Sequence, residues 1–384
     1  MLIAVNTRLL LKDKLEGIGC FASESLKRIT KNHPEHQFLF LFDRPFSEEF
    51  IFSDNVSPMV VKPQARHPFL WYWWFEQSLP KILHAQDPDL FFSPDGFLPL
   101  SYSAPAGARK CKFLPVIHDL YFEHFPKEIP FLASKYFKKN FPKFAKKANR
   151  IVTVSEYSKQ DIVNTYKISA SKIDVVYNGA NEIFAPSFIA DNVSSLPLGT
   201  ESTSSYFLFV GALSPRKNIA RLLQGFEAFK KSDFNDVKLV IVGEKLFMTT
   251  DIKEFVDKMQ YKSDVVFTGR LDNFQLKKVM ADALALVFVP YFEGFGIPLL
   301  EAMKCDVPVI TSNVTAMPEI AGDAALLVDP FSVDSIKEGM LKIHKDEFLR
   351  KDLIAKGKIQ REKFSWDKTA DKLWKSIETT MSEK

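Results

Sequence analysis

Short, nearly uninterrupted apolar runs alternate along this chain with longer stretches whose apolar positions recur every three or four residues. Leu2 to Asn6, Gln37 to Phe42, Leu90 to Phe92, Lys112 to Ile117, Ile151 to Val154 and Asp174 to Gly179 are the runs of the first half. Runs apolar on both faces predict buried parallel strands. The second half restarts the pattern with Tyr206 to Val210, Lys238 to Val242, Val265 to Leu271, Ala283 to Val289, Val307 to Thr311 and Ala325 to Val328. Between them, spacings such as Phe21 to Ile29 and Ile219 to Phe229 predict amphipathic helices, and Ser365 to Met381 predicts a last one around Trp366, Ala370, Leu373, Trp374 and Ile377. Strand and helix in strict alternation predict an α/β fold of two doubly wound parallel sheets. Pro186, Pro197, Gly199 and a Ser/Thr-rich patch interrupt the pattern. The expected organisation is a domain at 1–185, a linker at 186–205, a second domain at 206–364 and a terminal helix at 365–384.

Composition narrows the function classes. A chain of 384 residues exceeds one hydrophobic core. With 51 basic and 47 acidic residues the net charge is +4, too mild to predict a nucleic-acid partner. Cys20, Cys111 and Cys305 are far apart and odd in number, which predicts neither a disulfide framework nor a zinc site and fits a reducing, cytoplasmic compartment. Leu2 to Val5 is cut short by Asn6, Thr7 and Arg8, so no signal-peptide core is expected, and no apolar run reaches the roughly 20 residues of a membrane span. Charge is uneven at one place: Lys135, Lys138, Lys139, Lys143, Lys146, Lys147 and Arg150 occur without an acid and are interleaved with Tyr136, Phe137, Phe141 and Phe144. Two readings of that helix stay open, a solvated face and a peripheral contact with anionic lipid at the cytoplasmic membrane face. The run Trp71 to Gln77 has two readings, an exposed platform for membrane or acceptor and, the favoured one, a helix packed into the core with one or two of its tryptophans reaching a cleft.

The chemistry concentrates after the run ending at Val289. Glu293, Gly294, Phe295, Gly296 and Ile297 form a glycine turn, Pro298 suits the first turn of a helix, and Glu301 is placed in that first turn. A helix mouth with unobstructed amides favours phosphate, and a carboxylate beside it suits the paired hydroxyls of a ribose. This string resembles the E-x7-E signature of the GT4 family of retaining glycosyltransferases, which have the GT-B fold. The resemblance extends over nearly the whole chain and is strongest from residue 206 to 330. It implies two Rossmann-like domains facing across a cleft, with the last helix crossing back to the first domain. It further implies that Glu293 attends the donor sugar while Glu301 holds the nucleotide ribose.

Other residues join by the same resemblance. Arg216 and Lys217 follow Gly211 at a helix start and would neutralise a leaving diphosphate. Many family members carry arginine directly after that glycine; here Ala212 stands there, with Arg216 the candidate to supply the charge. His118 ends a strand beside Asp119, which would orient it to donate a hydrogen bond to the donor sugar. Gly17 and Gly19 form a glycine loop before the first helix, implied to lie across the cleft from the donor diphosphate and near the acceptor. Backbone near Arg270 and Leu271 is expected to meet the base. Asp87-Pro88-Asp89 spells the D-x-D of metal-dependent enzymes, but it directly precedes a strand and reads as a turn, so no metal is expected and no permanently bound cofactor. Ser155 opens a helix in the manner of a cap. The expectation is transfer of a hexose, best matched by mannose from GDP-mannose with a UDP-sugar the other donor, to a saccharide or lipid-linked acceptor. A nucleotide-sugar epimerase and a catalytically silent binding subunit are the alternatives.

Overall fold

The structure, a computed structural model, describes residues 1–15, 17–104, 110–186, 205–233, 235–244 and 250–383. The chain divides into two units, Met1–Asn178 with Trp366–Lys384, and Gly179–Ser365.

The first unit holds strands β1 (Leu2–Asn6), β2 (Gln37–Phe42), β3 (Val56–Val60), β4 (Leu90–Ser93) and β5 (Lys112–Pro115), followed by β6 (Ile151–Thr153) and β7 (Ile173–Val175). The five-stranded sheet runs β3-β2-β1-β4-β5, with every pair parallel. A bridge from Val116 to Val152 carries the ladder on to the β6-β7 pair. Strand β3 was not anticipated: Val-Ser-Pro-Met-Val has four partly or fully exposed members, and Pro58 is tolerated because β3 is the edge of the sheet. The core under this sheet is aromatic, with Trp74, Phe75, Phe91 and Phe144 fully buried. Burial of each such ring stabilises the fold by about 2–3 kcal/mol. The Trp74 indole donates to Val61 O at 2.8 Å, so its one polar atom is satisfied inside.

The run read as a core helix divides. Trp74 and Phe75 are buried, whereas Tyr72 and Trp73 are exposed, because Pro68–Trp73 turns only Trp71 inward, against Phe97 and Phe137, and the chain then passes through a wide turn at Trp74–Ser78. Phe131–Lys147 is a single helix that continues through Pro142. The terminal helix, Trp366–Ser382, belongs to the first unit. Its buried stripe Trp366, Ala370, Leu373, Trp374 and Ile377 is the one read from the sequence. Trp374 stacks on His33 with centroids 3.6 Å apart, and Thr369 Oγ1 donates to Tyr177 O at 2.7 Å.

The second unit has β8 (Tyr206–Val210), β9 (Lys238–Val242), β10 (Val265–Gly269), β11 (Ala285–Phe288), β12 (Val309–Ser312) and β13 (Ala325–Val328). Its sheet runs β10-β9-β8-β11-β12-β13, again all parallel. The winding goes outward from β8 through β9 to β10, then resumes on the other side of β8 at β11. The carboxyl ends of β8 and β11 therefore flank the topological switch point, where open α/β sheets leave a crevice. Gly179 to Ala185, read from the sequence as part of the first domain, lie with the second unit, where Lys304 Nζ donates to Ala180 O at 3.3 Å. The expected linker lies outside the described residues except at its two ends. Among the described residues no helix is long and apolar enough to cross a membrane.

Candidate active site

The turn after β8 carries Pro215–Lys217 as one tight turn, closed by Asn218 in the left-handed region at φ 63° before the helix Ile219–Ser232. Asn218 tolerates that backbone because its short polar side chain bonds locally. Here its amide donates to Val289 O at 3.0 Å and Pro330 O at 2.7 Å. The turn after β8 is thereby tied to the segment after β11. A second tie is Tyr291 N donating to Arg216 O at 3.1 Å.

These ties bring three charges together. Arg216 Nη1 and Lys217 Nζ each lie 2.5 Å from Glu293 Oε2. The Lys217 and Glu293 side chains are largely buried and that of Arg216 about a quarter exposed. Lys217 also lies 4.5 Å from the Phe288 ring centroid, so its stem crosses an aromatic face. Burial would push the Glu293 carboxyl up, but the charges of Arg216 and Lys217 and their hydrogen bonds outweigh it and hold it below its ordinary value. The carboxylate is ionised at neutral pH, and two cations against one anion leave the cluster positive.

The glycine turn behaves as its sequence demands. Gly296 has φ 92° and caps the helix Ile297–Lys304, with Pro298 in its first turn. A Cβ at Gly296 would stand 2.7 Å from Met317 Cε. Phe295, expected to contribute to nucleotide binding, turns its ring into the core against Phe364 at 5.8 Å, so only its backbone is left for the site. Glu301 falls in the second turn of the helix, not the first, since the cap is Gly296. It is half-buried. No hydrogen bond or ion pair joins its carboxyl to any described residue, and burial pushes it up to about 7.

Arg270 and Leu271, expected to meet the base, lie at the carboxyl end of β10, two strands from β8. Gly269 has φ 76° with open space where a Cβ would be. Arg270 pairs with Glu244 at 3.5 Å, and Leu271 is half-buried. Between these ends, a Cβ at Gly243 would meet Gly211 O at 1.9 Å; β8 and β9 finish with bare backbone in contact.

The remaining candidates are in the first unit. His118, just past β5, has Nε2 at 2.8 Å from Pro94 O, and its ring stands edge-on to Phe21 at 5.2 Å. Burial pushes its pKa below the ordinary value. A carbonyl only accepts, so Nε2 carries the hydrogen and Nδ1 of the neutral ring is left as an acceptor. The expected donor role is thereby corrected: the ring's N–H is already engaged, and a hydroxyl would have to donate to it. Asp119 does not orient it, because its carboxylate caps the Tyr121 N–H at 3.0 Å. Gly17 and Gly19 are not a loop but open the helix Gly17–Asn32, and a Cβ at Gly19 would stand 2.9 Å from Leu9 O. Ser155 caps its helix, accepting from Ser158 N at 3.1 Å. In the D-x-D string, Asp87 is a left-handed helix end and Asp89 accepts from Leu2 N at 2.8 Å.

One cluster went unread in the sequence. At the switch point of the first sheet, between β1 and β4, Asp95 accepts from Asn6 Nδ2 at 2.8 Å and Arg8 Nε at 2.6 Å, with the Arg8 guanidinium 4.5 Å from the Phe97 ring centroid. The signal was present: polar residues follow directly on two buried strands, Asn6-Thr7-Arg8 and Ser93-Pro94-Asp95.

The model of the family described as Glycosyltransferase Family 4 matches residues 29–182, and that described as Glycosyl transferases group 1 matches residues 196–360. O-antigen chain mannosyltransferase B of Escherichia coli is 25% identical over 375 residues, 93% of this chain and 94% of that protein. O-antigen chain mannosyltransferase RfbU of Salmonella typhimurium is 30% identical over 214 residues, 56% of each chain. Among solved structures, HepE of Anabaena in complex with UDP and glucose superposes with a TM-score of 0.75 at 15% identity, covering 98% of this chain and 99% of that one. With its two parallel-sheet Rossmann-like units and both halves matched, the chain belongs to the family 4 glycosyltransferases, enzymes of the GT-B fold.

Proposed function

We propose that this glycosyltransferase moves mannose from GDP-mannose, with retention of configuration and without a metal, to a saccharide or lipid-linked saccharide. The observation that carries the reading is the convergence of Arg216 and Lys217 on Glu293 at the switch point of the second sheet. A departing diphosphate gains negative charge as the bond from the sugar's anomeric carbon to its phosphate oxygen breaks. Two fixed cations and the mouth of the helix Ile297–Lys304 meet that charge without reorganisation. Glu293 holds both cations in place and, being ionised, accepts hydrogen bonds from sugar hydroxyls. Glu301 accepts from the ribose hydroxyls. His118, through Nδ1, accepts from a hydroxyl of the donor sugar. The acceptor oxygen attacks the face the diphosphate leaves, and its proton passes to the departing phosphate oxygen. Mannose is favoured as donor sugar because both curated relatives above are named as mannosyltransferases.

The test is nucleotide release from a panel of GDP- and UDP-sugars, with and without a lipid-linked saccharide, followed by NMR of the product. The expected result is acceptor-dependent GDP release from GDP-mannose and an α-linked product. Sugar interconversion without acceptor, or release of neither nucleotide, would overturn the proposal.

A further inference from the structure

At the switch point of the first sheet the turn after β4 is tied down on both sides of Pro94. Asp95 Oδ1 accepts from Asn6 Nδ2 at 2.8 Å, from Ser93 Oγ at 3.0 Å and from Phe97 N at 3.3 Å, and Oδ2 accepts from Arg8 Nε at 2.6 Å. One carboxylate thus closes its own turn and fastens it to the end of β1. The ion pair is out of water, with side-chain exposures of 8% for Arg8 and 3% for Asp95. The rings of Phe97, Phe75 and Trp71 stand 4.5, 5.4 and 6.0 Å from the Arg8 guanidinium and box it in. Gly96 seals the far side: at φ 84° it packs so closely that a Cβ would stand 3.1 Å from Val116 O.

Between these ties the Pro94 carbonyl meets His118 Nε2 at 2.8 Å. The nitrogen that faces a carbonyl has to carry the hydrogen, so this contact selects the tautomer. In the other tautomer two acceptors would face each other inside the protein, which disfavours it by at least about tenfold. A buried ion pair adds little stability over apolar side chains of the same volume. What this pair contributes is location, because it fixes a carbonyl that stands in a turn outside the sheet ladder. We propose that Arg8 and Asp95 are positioning residues for His118: their ion pair holds Pro94 O against Nε2 and so presents Nδ1 as the acceptor for a substrate hydroxyl. The inference rests on the reading that Nδ1 takes a hydroxyl of the donor sugar, but the tautomer is measured without substrate, so the two fail separately.

Nitrogen NMR of the full chain with isotope-labelled histidines tests it, the His118 signals being identified by their loss in His118→Ala. The wild type is expected to show Nε2 protonated and Nδ1 bare. Arg8→Met with Asp95→Leu removes the pair without leaving a buried charge unpaired, and Asn6 Nδ2 keeps Ser93 Oγ, 3.2 Å away, as a partner. In this variant the second tautomer should rise to about a tenth of the population or more, and kcat should fall about tenfold with the donor KM within about twofold. In a His118→Ala background the same double substitution should cost nothing further, because a positioning residue has no task once its target is gone. An unchanged tautomer in the variant, a wild type protonated on Nδ1, or a loss in kcat that persists in full without His118 overturns the proposal. If His118→Ala transfers at the wild-type rate, the hydroxyl contact fails and the tautomer alone decides on the pair. Should the double variant not fold, Asn6→Ala, which takes one neutral hydrogen bond from Asp95, replaces it; a second tautomer is again expected, and its absence is again decisive.

Discussion

Glu301→Gln separates what the fold tolerates from what the proposed nucleotide site requires. The Glu301 carboxyl is pushed by burial from an ordinary 4.5 to about 7. At about 1.4 kcal/mol per tenfold change in acidity this is a cost of about 3 kcal/mol for holding it ionised, and its residual exposure reduces that to about 2 kcal/mol. The sign follows from linkage. The folded chain binds this proton more tightly than the unfolded chain, so its contribution is fully present below about pH 4.5 and is lost as pH rises through about 7. Glutamine keeps the shape and cannot ionise. The variant should match the wild type at low pH and exceed it by about 2 kcal/mol near pH 8, a rise of about 5 °C in melting temperature by scanning calorimetry. Nucleotide binding should change in the opposite direction. If the ionised carboxylate accepts from two ribose hydroxyls, GDP affinity in titration calorimetry rises with pH through about 7 in the wild type and is weaker by about 10–100-fold in the variant, with the pH dependence gone. A variant no more stable near pH 8 would show the carboxylate to be well solvated; unchanged GDP affinity would refute the ribose role.

Three further outcomes are expected. Lys217→Ala should lower kcat/KM by roughly 100-fold, mainly through kcat; a change confined to KM would remove Lys217 from leaving-group stabilisation. Transfer should continue in EDTA, and its loss with recovery on adding manganese would overturn the metal-independent mechanism. Gly243→Ala places a Cβ 1.9 Å from Gly211 O, where backbone must move, so a loss of roughly 3 kcal/mol or more is expected in denaturant unfolding, and wild-type stability would contradict the close approach.

The architecture was legible in the sequence because a strand buried on both faces has to be apolar at every position. Lys238–Val242 and Tyr206–Val210 are that pattern with no exception beyond the first lysine. Edge elements lack the constraint, which is why Val56–Val60 escaped notice. The charged residues of the site were legible as residue types at strand ends, and the structure brings Arg216, Lys217 and Glu293 into contact. What each atom does was not legible. The tautomer of His118 depends on Pro94 O, which comes from a different strand end, and the ring of Phe295 is claimed by Phe364, far along the chain. The Trp71 to Phe75 run divided for the same reason: adjacent residues on a helix point in different directions, and only the neighbours decide which of them meets water.

Asn218 sits under two demands that no other residue type meets together. Its backbone must be left-handed, which excludes most side chains, and its amide must hand one hydrogen to Val289 O and another to Pro330 O. Glycine would accept the backbone and lose both links; aspartate would accept the backbone and turn the links into repulsion between acceptors; glutamine carries the amide on too long an arm. The spacing between the cationic turn and the Glu293 segment is thus set by the Asn218 amide together with the Tyr291 N–H on Arg216 O, and any drift in the stretch after β13 reaches the cations through Pro330. A redesign of this enzyme that grafts the Arg216-Lys217 turn must bring Asn218 and Pro330 along with it.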